Sequence, residues 1–314
     1  MRMDGITFYF GFEQDLIIWL QSVLGEAAAA VGTVLSFFGE TVFLIVVLGA
    51  IYWCFDKETA KKIGVYIVFA LMFNSMSKNL VLRRRPYMDN HSIKCLRAPT
   101  TTEGDVYDIA VQGYSFPSGH STNAAVIYGS FPFFYKHKAL KIAAFLLPFL
   151  VGLSRVILGV HYPTDVLIGW LMGYGSIFIM MGLSKLIKKK EILFLVVFLF
   201  CALGMLFCKT EDYYASLGVM AGFFLAIIYE ERFVFFENTH NPLYCALRIA
   251  GGVLGFAILS YVLKLPFSEA FLKGGSYLAL LVRFVRYTLI VFILLGVYPK
   301  LFRVVEGYIE LKRR

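Results

Sequence analysis

The chain has 314 residues, of which 59% are hydrophobic and only 16% are charged, and its formal net charge is +9. A soluble domain carries about 25% charged residues, so this composition excludes an ordinary soluble globular protein. Because the apolar residues fall in blocks of roughly 17–25 residues, the length of a membrane-spanning helix, the sequence predicts an all-α, polytopic integral membrane bundle.

The N-terminal segment, residues 1–39, begins with an amphipathic stretch. Residues 12–24 place four polar side chains on one side of a helix and apolar side chains on the other. The four polar residues are Gln14, Asp15, Gln21 and Ser22. This pattern predicts a helix that lies in the membrane interface. One tilted span over residues 14–38 is the alternative.

Nine continuous apolar blocks follow, and each predicts a membrane span. They cover residues 40–55, 60–82, 118–135, 139–160, 163–184, 191–209, 214–230, 243–264 and 276–298. One connection between them, residues 86–117, is long and polar. A loop of this length between closely spaced helices is typical of a functional segment.

The connections alternate in charge along the chain. One set is rich in lysine and arginine, at residues 57–62, 136–141, 185–190 and 300–314. The positive-inside rule makes this set cytoplasmic, so the loop 86–117 and the three arginines 83–85 face away from the cytoplasm. Arginines on that side indicate an anionic ligand. The same topology explains the net positive charge without nucleic acid.

The first candidate segment runs from Lys78 through three arginines to Pro86. Lys78 and Arg85 are seven positions apart, nearly two helical turns, so a continuous helix would place them on one face. Pro86 is expected to end that helix. The alternative is a basic cluster that snorkels to water at a helix end.

The second segment, from Ser115 to Thr122, directly precedes an apolar block. Its polar residues predict a helix start, and the free N–H groups at such a start can bind an anion. Gly119 allows a ligand to approach the backbone, after Ser118, and His120 falls in the first turn. The alternative is an ordinary capped helix with an incidental histidine.

The third segment joins two apolar blocks, from Ser154 to Asp165. Arg155 ends one block, His161 lies in the break, and Asp165 lies in the first turn of the next helix. A carboxylate beside a histidine can accept its Nδ1–H and leave the other nitrogen free as a nucleophile or base. A polar junction between two helices is the alternative.

These three segments lie on the same predicted side, and their spacing is K-x6-R-P, P-S-G-H and S-R-x5-H-x3-D. Over roughly residues 60–185 the sequence resembles the type 2 phosphatidic acid phosphatase superfamily, with all three signature motifs in order. The resemblance implies a metal-independent phosphatase that needs no cofactor. It also implies two spans before the Lys-Arg-Pro segment, whereas this sequence shows one.

The resemblance assigns a role to each motif residue. Lys78, Arg85 and Arg155 would hold the phosphoryl oxygens, and Ser118 with the backbone of Gly119 would complete the cradle. His161 would attack phosphorus, oriented by Asp165, and His120 would protonate the leaving alkoxide. Three fixed cations would then supply the charge stabilisation that phosphoryl transfer requires. No metal site is expected.

On this basis the chain is divided into the N-terminal segment 1–39, a phosphatase core at 40–190, and C-terminal accessory helices with a basic tail at 191–314. In the C-terminal part, Gly218 and Gly222 are four residues apart, a spacing that favours close helix packing.

Several charged residues fall within apolar blocks of the C-terminal part. Buried charges usually pair, so Glu230 or Glu231 is expected to pair with Arg248. Arg283 and Arg286, together with Arg84 near the first motif, are candidates for binding a lipid headgroup.

The leading hypothesis is a lipid phosphate phosphatase whose active site faces away from the cytoplasm, with the bilayer and a lipid phosphate as partners. An isoprenyl diphosphate phosphatase, or a phosphotransferase that uses the same site, is one alternative. A lipid transporter or flippase is a second, from another class. The acid and nucleophile predicted at His120 and His161 argue against a protein that only binds its ligand.

Overall fold

The computed structural model describes residues 5–99 and 104–313, which are mostly helical. Within those ranges there is no β-strand, and a parallel bridge joins Ile6 to Arg83. The all-α expectation is therefore confirmed. The chain forms two compact units, Met1–Leu44 with Phe73–Ile179 and Ile45–Met72 with Met180–Arg314.

The helices are α1 (Gly11–Leu24), α2 (Ala27–Phe37), α3 (Thr41–Ala50), α4 (Lys57–Val81), α5 (Pro86–Asp89), α6 (Ile109–Gln112), α7 (Gly119–Phe134), α8 (Lys138–Ile157), α9 (Pro163–Leu186), α10 (Lys190–Ala202), α11 (Glu211–Phe233), α12 (Pro242–Val262), α13 (Glu269–Lys273), α14 (Tyr277–Phe292) and α15 (Lys300–Arg313). Short π or 3-10 turns continue three of them, at Ile51–Phe55, Leu203–Leu206 and Ile293–Val297.

In the part of the chain that the structure describes, six helices are long and apolar enough to cross a membrane: α4, α8, α9, α11, α12 and α14, the last with its π turn. The number rises to seven if α1 and α2 form one broken span. The predicted count of nine is not confirmed, because three apolar blocks form shorter helices. Those are α7 with 16 residues, α10 with 13 residues, and α3 with 10 residues before its π turn.

The N-terminal segment is two helices rather than one. α1 and α2 meet at an angle of 109°, and Gly25 at the joint has a φ of 52°. Residues 14–38 therefore do not form one continuous helix, and a span over them would be a broken one. Only part of the polar side of α1 faces protein. Glu13 is fully buried and the Gln14 amide accepts a hydrogen bond from Asn90 at 2.9 Å, whereas Asp15 and Ser22 are exposed.

In the first unit, close contact between α7 and α9 sets the position of both helix starts. A Cβ added to Gly169 would lie 2.8 Å from the carbonyl oxygen of Ser118, and one added to Gly173 would lie 2.6 Å from Ala125 Cβ. Larger residues would force these helices apart. The backbone N–H of Ser118 also donates to the carbonyl of Asp165 at 3.0 Å. The N-termini of α7 and α9 therefore lie side by side.

The second unit is held by small residues and buried ion pairs. Gly218 and Gly222 of α11 pack against backbone carbonyls of α14, as their spacing predicted. Glu230 is fully buried and pairs with Lys57 at 2.9 Å and Lys61 at 3.1 Å.

The predicted pairing of Glu230 or Glu231 with Arg248 is wrong. Glu231 pairs with Lys61 at 3.1 Å. Arg248 pairs with Glu306 of α15 at 2.8 Å and donates to the carbonyl of Glu237 at 2.9 Å. Buried charges do pair here, but their partners lie on segments that no sequence pattern singled out.

Candidate active site

The first motif does not form one helix. α4 ends at Val81, Leu82 has a φ of 55°, and Arg85 is extended at the start of α5. The prediction that Lys78 and Arg85 share a helical face is therefore wrong. There are two causes. The helical conformation is disfavoured for Arg85 because it precedes Pro86, and the backbone of Arg83 forms a bridge with Ile6 instead of a helical turn.

Lys78 and Arg85 are nevertheless both held by the polar loop. The Lys78 ammonium donates to the carbonyl of Tyr114 at 2.8 Å. The Arg85 guanidinium donates to the carbonyls of Gln112 at 2.8 Å and Val160 at 2.9 Å. Its NH1 lies 3.4 Å from Nε2 of His161. Backbone oxygens thus fix a cation beside the predicted nucleophile.

The second motif starts α7 as predicted. Ser118 is the N-cap of α7, and its side chain accepts from the backbone N–H of Ser121 at 3.4 Å and the Ser121 hydroxyl at 2.9 Å. The space where a side chain at Gly119 would lie is open, with Asn74 Oδ1 the nearest atom at 3.7 Å. His120 follows in the first turn with 24% of its side chain exposed.

The third motif brings Arg155 and His161 to the same end of the unit. The chain turns at Gly159, which has a φ of 73° and packs against the carbonyl of Lys94. A side chain would be strained at this φ and would also clash there. Arg155 is buried, and its NH1 donates to the Ser36 hydroxyl at 2.8 Å. Among the described residues its Nε has no hydrogen-bond partner.

His161 and Asp165 face each other across the start of α9. Nδ1 of His161 lies 3.5 Å from Oδ2 of Asp165, longer than a typical N–H···O hydrogen bond. Asp165 is fully buried and accepts from Arg83, from the Ser115 hydroxyl and from the backbone N–H of Tyr162, at 2.7, 2.7 and 2.8 Å. These donors hold the carboxylate in place.

The charges around His161 determine its protonation state. Burial, and then the positive charges of Arg85, Lys78 and Arg155, hold the pKa of His161 well below its usual range. Both effects disfavour the charged imidazolium. His161 is therefore a neutral imidazole at physiological pH, with a lone pair on one ring nitrogen.

Arg83 is a buried link that the sequence did not identify. Its guanidinium bridges Glu13 at 2.9 Å and Asp165 at 2.7 Å, and it lies between the rings of Phe8 and Tyr162, at 4.4 and 4.0 Å from their centroids. The sequence assigned the three arginines to an anionic ligand. For Arg83 the anions are two carboxylates of the chain itself.

Among the polar side chains of the first forty residues, Glu13, Ser36 and Glu40 contact Arg83 or a motif residue. Glu13 binds Arg83, as above, and accepts from the Thr164 hydroxyl at 2.6 Å. Ser36 accepts from Arg155, and Oε2 of Glu40 lies 3.8 Å from Nε2 of His120. No motif spacing identifies these residues, because each meets a partner more than 65 positions away.

The three candidate lipid-binding arginines have different surroundings. Arg84 is partly exposed and pairs with Asp89 at 3.1 Å. Arg283 pairs with Glu211 in the second unit. Arg286 is 6% exposed, and among the described residues its Nε has no hydrogen-bond partner. The described residues also hold no group of three or more His, Cys, Asp or Glu side chains that could bind a metal ion.

Comparisons with known proteins identify the family of the chain. Residues 59–189, which contain all three motifs, match the PAP2 superfamily. Residues 214–308 match the family described as PAP2 superfamily phosphatase, transmembrane extension. No solved structure matches the chain.

Three relatives are phosphatases by name. The chain is 35% identical over 157 residues to phosphatidylglycerophosphatase B of Bacillus subtilis, covering 46% of this chain and 68% of that protein. It is 32% identical over 124 residues to the undecaprenyl-diphosphatase of Sulfolobus acidocaldarius, covering 37% of this chain and 52% of that protein. It is 29% identical over 169 residues to the decaprenylphosphoryl-5-phosphoribose phosphatase of Mycobacterium tuberculosis, covering 51% of this chain and 84% of that protein. The chain thus belongs to the PAP2 superfamily and is a multi-pass membrane phosphatase.

Proposed function

We propose that this phosphatase removes phosphate from a membrane lipid phosphate through a phosphohistidine intermediate on His161. The observation that carries the proposal is the environment of His161. Its neutral ring has Nε2 beside the Arg85 guanidinium and Nδ1 toward the buried Asp165 carboxylate. A nucleophile, a cation for the phosphoryl oxygens and an orienting anion are therefore together.

In the first step, Nε2 of His161 attacks phosphorus, and the bond from phosphorus to the lipid oxygen breaks. Lys78, Arg85 and Arg155 bind the phosphoryl oxygens, with the N–H of Gly119 at the start of α7. His120 gives a proton to the leaving alkoxide. Asp165 stabilises the positive charge that develops on the His161 ring.

In the second step, water attacks phosphorus and the P–N bond breaks. His120 takes a proton from the water, so the two steps return it to its starting state. Free phosphate leaves and His161 is neutral again. Positioning and charge stabilisation are the main demands of phosphoryl transfer, and the fixed arginines meet both.

An apolar groove between α8 and α9 supports a lipid substrate. Its volume is about 520 Å³, and it is lined by Ile142, Phe145, Leu146, Pro148, Phe149, Trp170 and Tyr174. Pro148 lacks the N–H that would bond to Ala144, and the Tyr174 hydroxyl donates to that carbonyl at 2.6 Å. Phe149 precedes Arg155 by six residues, roughly 9 Å along the helix. A hydrocarbon chain can therefore lie in this groove while its phosphate binds Arg155.

The names of the relatives favour two substrate classes. Phosphatidylglycerophosphatase B supports a glycerophospholipid that carries a phosphate monoester. The undecaprenyl-diphosphatase and the decaprenylphosphoryl-5-phosphoribose phosphatase support an isoprenyl lipid as the second candidate. Both classes combine an anionic phosphate with a long hydrocarbon chain.

The positions of the lysines support a site that faces away from the cytoplasm. Lys78 lies in the last turn of α4, whereas Lys57 begins it, and Lys138 begins the α8 helix that Arg155 ends. Each of these helices thus has a lysine at the end opposite its site residue. The positive-inside rule assigns the lysine-rich ends to the cytoplasm.

The purified protein, reconstituted with a panel of lipid phosphates and isoprenyl diphosphates, tests the proposal. We expect phosphate release from the preferred lipid, and an acid-labile, alkali-stable phosphoryl adduct when the reaction is quenched early. His161→Ala should abolish both signals while the protein still elutes as a folded species. Release that persists in His161→Ala would overturn the covalent mechanism. Transfer of the phosphoryl group to an added alcohol would identify a phosphotransferase.

A further inference from the structure

Glu40 lies beside His120, outside the residues that match the PAP2 superfamily. We propose that Glu40 is a positioning residue that orients His120 and stabilises its protonated form for its role as the acid. The inference rests on the proposed function, since it requires that His120 protonates the leaving group. It adds a carboxylate that none of the three motifs contains.

The geometry places Glu40 between a histidine and an arginine. One oxygen, Oε2, lies 3.8 Å from Nε2 of His120, and the other, Oε1, lies 2.8 Å from NH2 of Arg97. Arg97 comes from the long polar loop, so the pair joins this loop to the residue that precedes α3. The carboxylate therefore has one oxygen held by an arginine and the other directed to the imidazole.

The signs of the nearby charges give Glu40 its role. His120 must carry a proton before the lipid oxygen leaves, but the same end of the unit holds Lys78, Arg85 and Arg155. Positive neighbours disfavour an imidazolium, and a carboxylate within about 4 Å favours it. Glu40 is the anion near His120, whereas Asp165 serves His161. The two histidines thus have separate carboxylates, which suits one acid and one nucleophile.

The segment that carries Glu40 is fixed against the core. The Tyr128 hydroxyl donates to the carbonyl of Phe38 at 2.9 Å, and Ser36 accepts from Arg155 at 2.8 Å. Gly39 leaves no room for a side chain, because an added Cβ would lie 2.5 Å from Val151 Cγ1 and 3.4 Å from His120 Cβ. The backbone before Glu40 therefore passes directly over His120, and the carboxylate position is determined by packing.

The test compares Glu40→Gln, His120→Ala and the double variant on two substrates. One substrate is a lipid phosphate with an alkyl leaving group, and the other is p-nitrophenyl phosphate, whose leaving group needs little protonation. We expect Glu40→Gln to lower kcat on the lipid by about 10²-fold, the lower end of what a general acid contributes. The loss on the aryl ester should be several-fold smaller. In the His120→Ala background, Glu40→Gln should change neither rate further.

Glu26→Gln is the matched control, because it makes the same chemical change at an exposed position of the N-terminal segment. It should behave like the wild type. Glu40→Asp keeps the charge but withdraws it by one methylene, and it should fall between wild type and Glu40→Gln. If Glu40→Gln is not recovered as a folded protein, Glu40→Asp tests whether the position of the carboxylate near His120 affects kcat on the lipid.

The outcomes separate this inference from the proposed function. If His120→Ala loses both substrates equally, the acid role of His120 fails and the proposed function must be revised. If His120→Ala shows the expected dependence on the leaving group but Glu40→Gln impairs both substrates alike, Glu40 is only structural. The inference would also be overturned if Glu40→Gln lowered kcat by the same factor in the His120→Ala background as it does in the wild type.

Discussion

His161 has a burial and charge environment that suits a nucleophile better than a proton donor. It is 3% exposed, and three cations disfavour its charged form. His120 has 24% of its side chain exposed and lies near Glu40, which favours its charged form. Burial and then Arg155 disfavour the charged form of His120 as well, and Glu40 acts against both effects. The greater exposure of His120 and its neighbouring carboxylate suit it to exchange protons, whereas the buried, neutral His161 suits attack on phosphorus.

The low pKa of His161 predicts the acidic limb of the pH profile. A free histidine titrates near about 6.5, but His161 should stay neutral well below that pH because its pKa is lowered. We expect kcat/KM for p-nitrophenyl phosphate to show no loss attributable to His161 as the pH falls through 6.5. Arg85→Gln removes the nearest cation, so its acidic limb should move to higher pH whatever its rate. An acidic limb near 6.5 in the wild type, unmoved in this variant, would contradict the assignment.

Arg83 supports the site through stability rather than through contact with substrate. Replacing it with Gln leaves Glu13 and Asp165 buried without their cation, and breaking a buried pair costs about 3–5 kcal/mol. We expect Arg83→Gln to lower the unfolding midpoint in detergent strongly. The double variant Glu13→Gln/Arg83→Gln should recover part of the loss, because one buried charge is then removed. If the double variant loses as much stability as Glu13→Gln and Arg83→Gln lose together, the two residues act independently.

Short-range spacing predicted the motif residues, and long-range pairing could not be predicted. Arg155, His161 and Asp165 lie within eleven positions, so helix and turn geometry brings them near each other whatever the rest of the chain does. Glu13 and Glu40 meet their partners only after α1 and α2 pack on the core. A few acidic residues in apolar segments do not indicate which distant arginine or histidine each will face.

At the level of elements, helix starts were easier to predict than helix ends. The predicted starts at residues 118 and 163 agree with α7 and α9, since Ser118 and Pro163 are strong N-terminal signals. The predicted block 60–82 ends within one residue of α4, but the expected continuation of this helix to Arg85 was wrong, because Arg83 forms a bridge with Ile6. Such a bridge depends on a segment almost eighty residues away.

Arg283 and Arg286 of α14 differ in their partners, and this difference predicts different effects. Arg286 lies roughly 14 Å from the start of α14 at 1.5 Å per residue, and an unpaired charge at membrane depth costs about 2.5–3.5 kcal/mol. An anionic lipid group would offset that cost. We expect Arg286→Gln to raise KM for the native lipid about tenfold, the loss of one charge-assisted hydrogen bond of about 1.5 kcal/mol. KM for p-nitrophenyl phosphate should not change.

Arg283→Gln is the matched control for this prediction, because Arg283 already pairs with Glu211. It should lower stability slightly and leave the ratio of the two KM values as in the wild type. If Arg286→Gln leaves the lipid KM unchanged, the arginine does not bind substrate. Lipid binding by Arg283 would be indicated if the control gave the larger effect.

At the scale of the whole molecule, the charges at the helix ends predict its orientation in the membrane. Lysines concentrate where α4, α8 and α10 begin and where α9 ends, and basic residues near helix ends are retained in the cytoplasm. We expect the loop 86–117 to lie outside it. In a cysteine-free background, Ser92→Cys, at an exposed position, should react with an impermeant maleimide in intact cells. Lys136→Cys, between α7 and α8, should react only after the membrane is opened. The reverse pattern would place the active site in the cytoplasm, and the lysine bias would then need another cause.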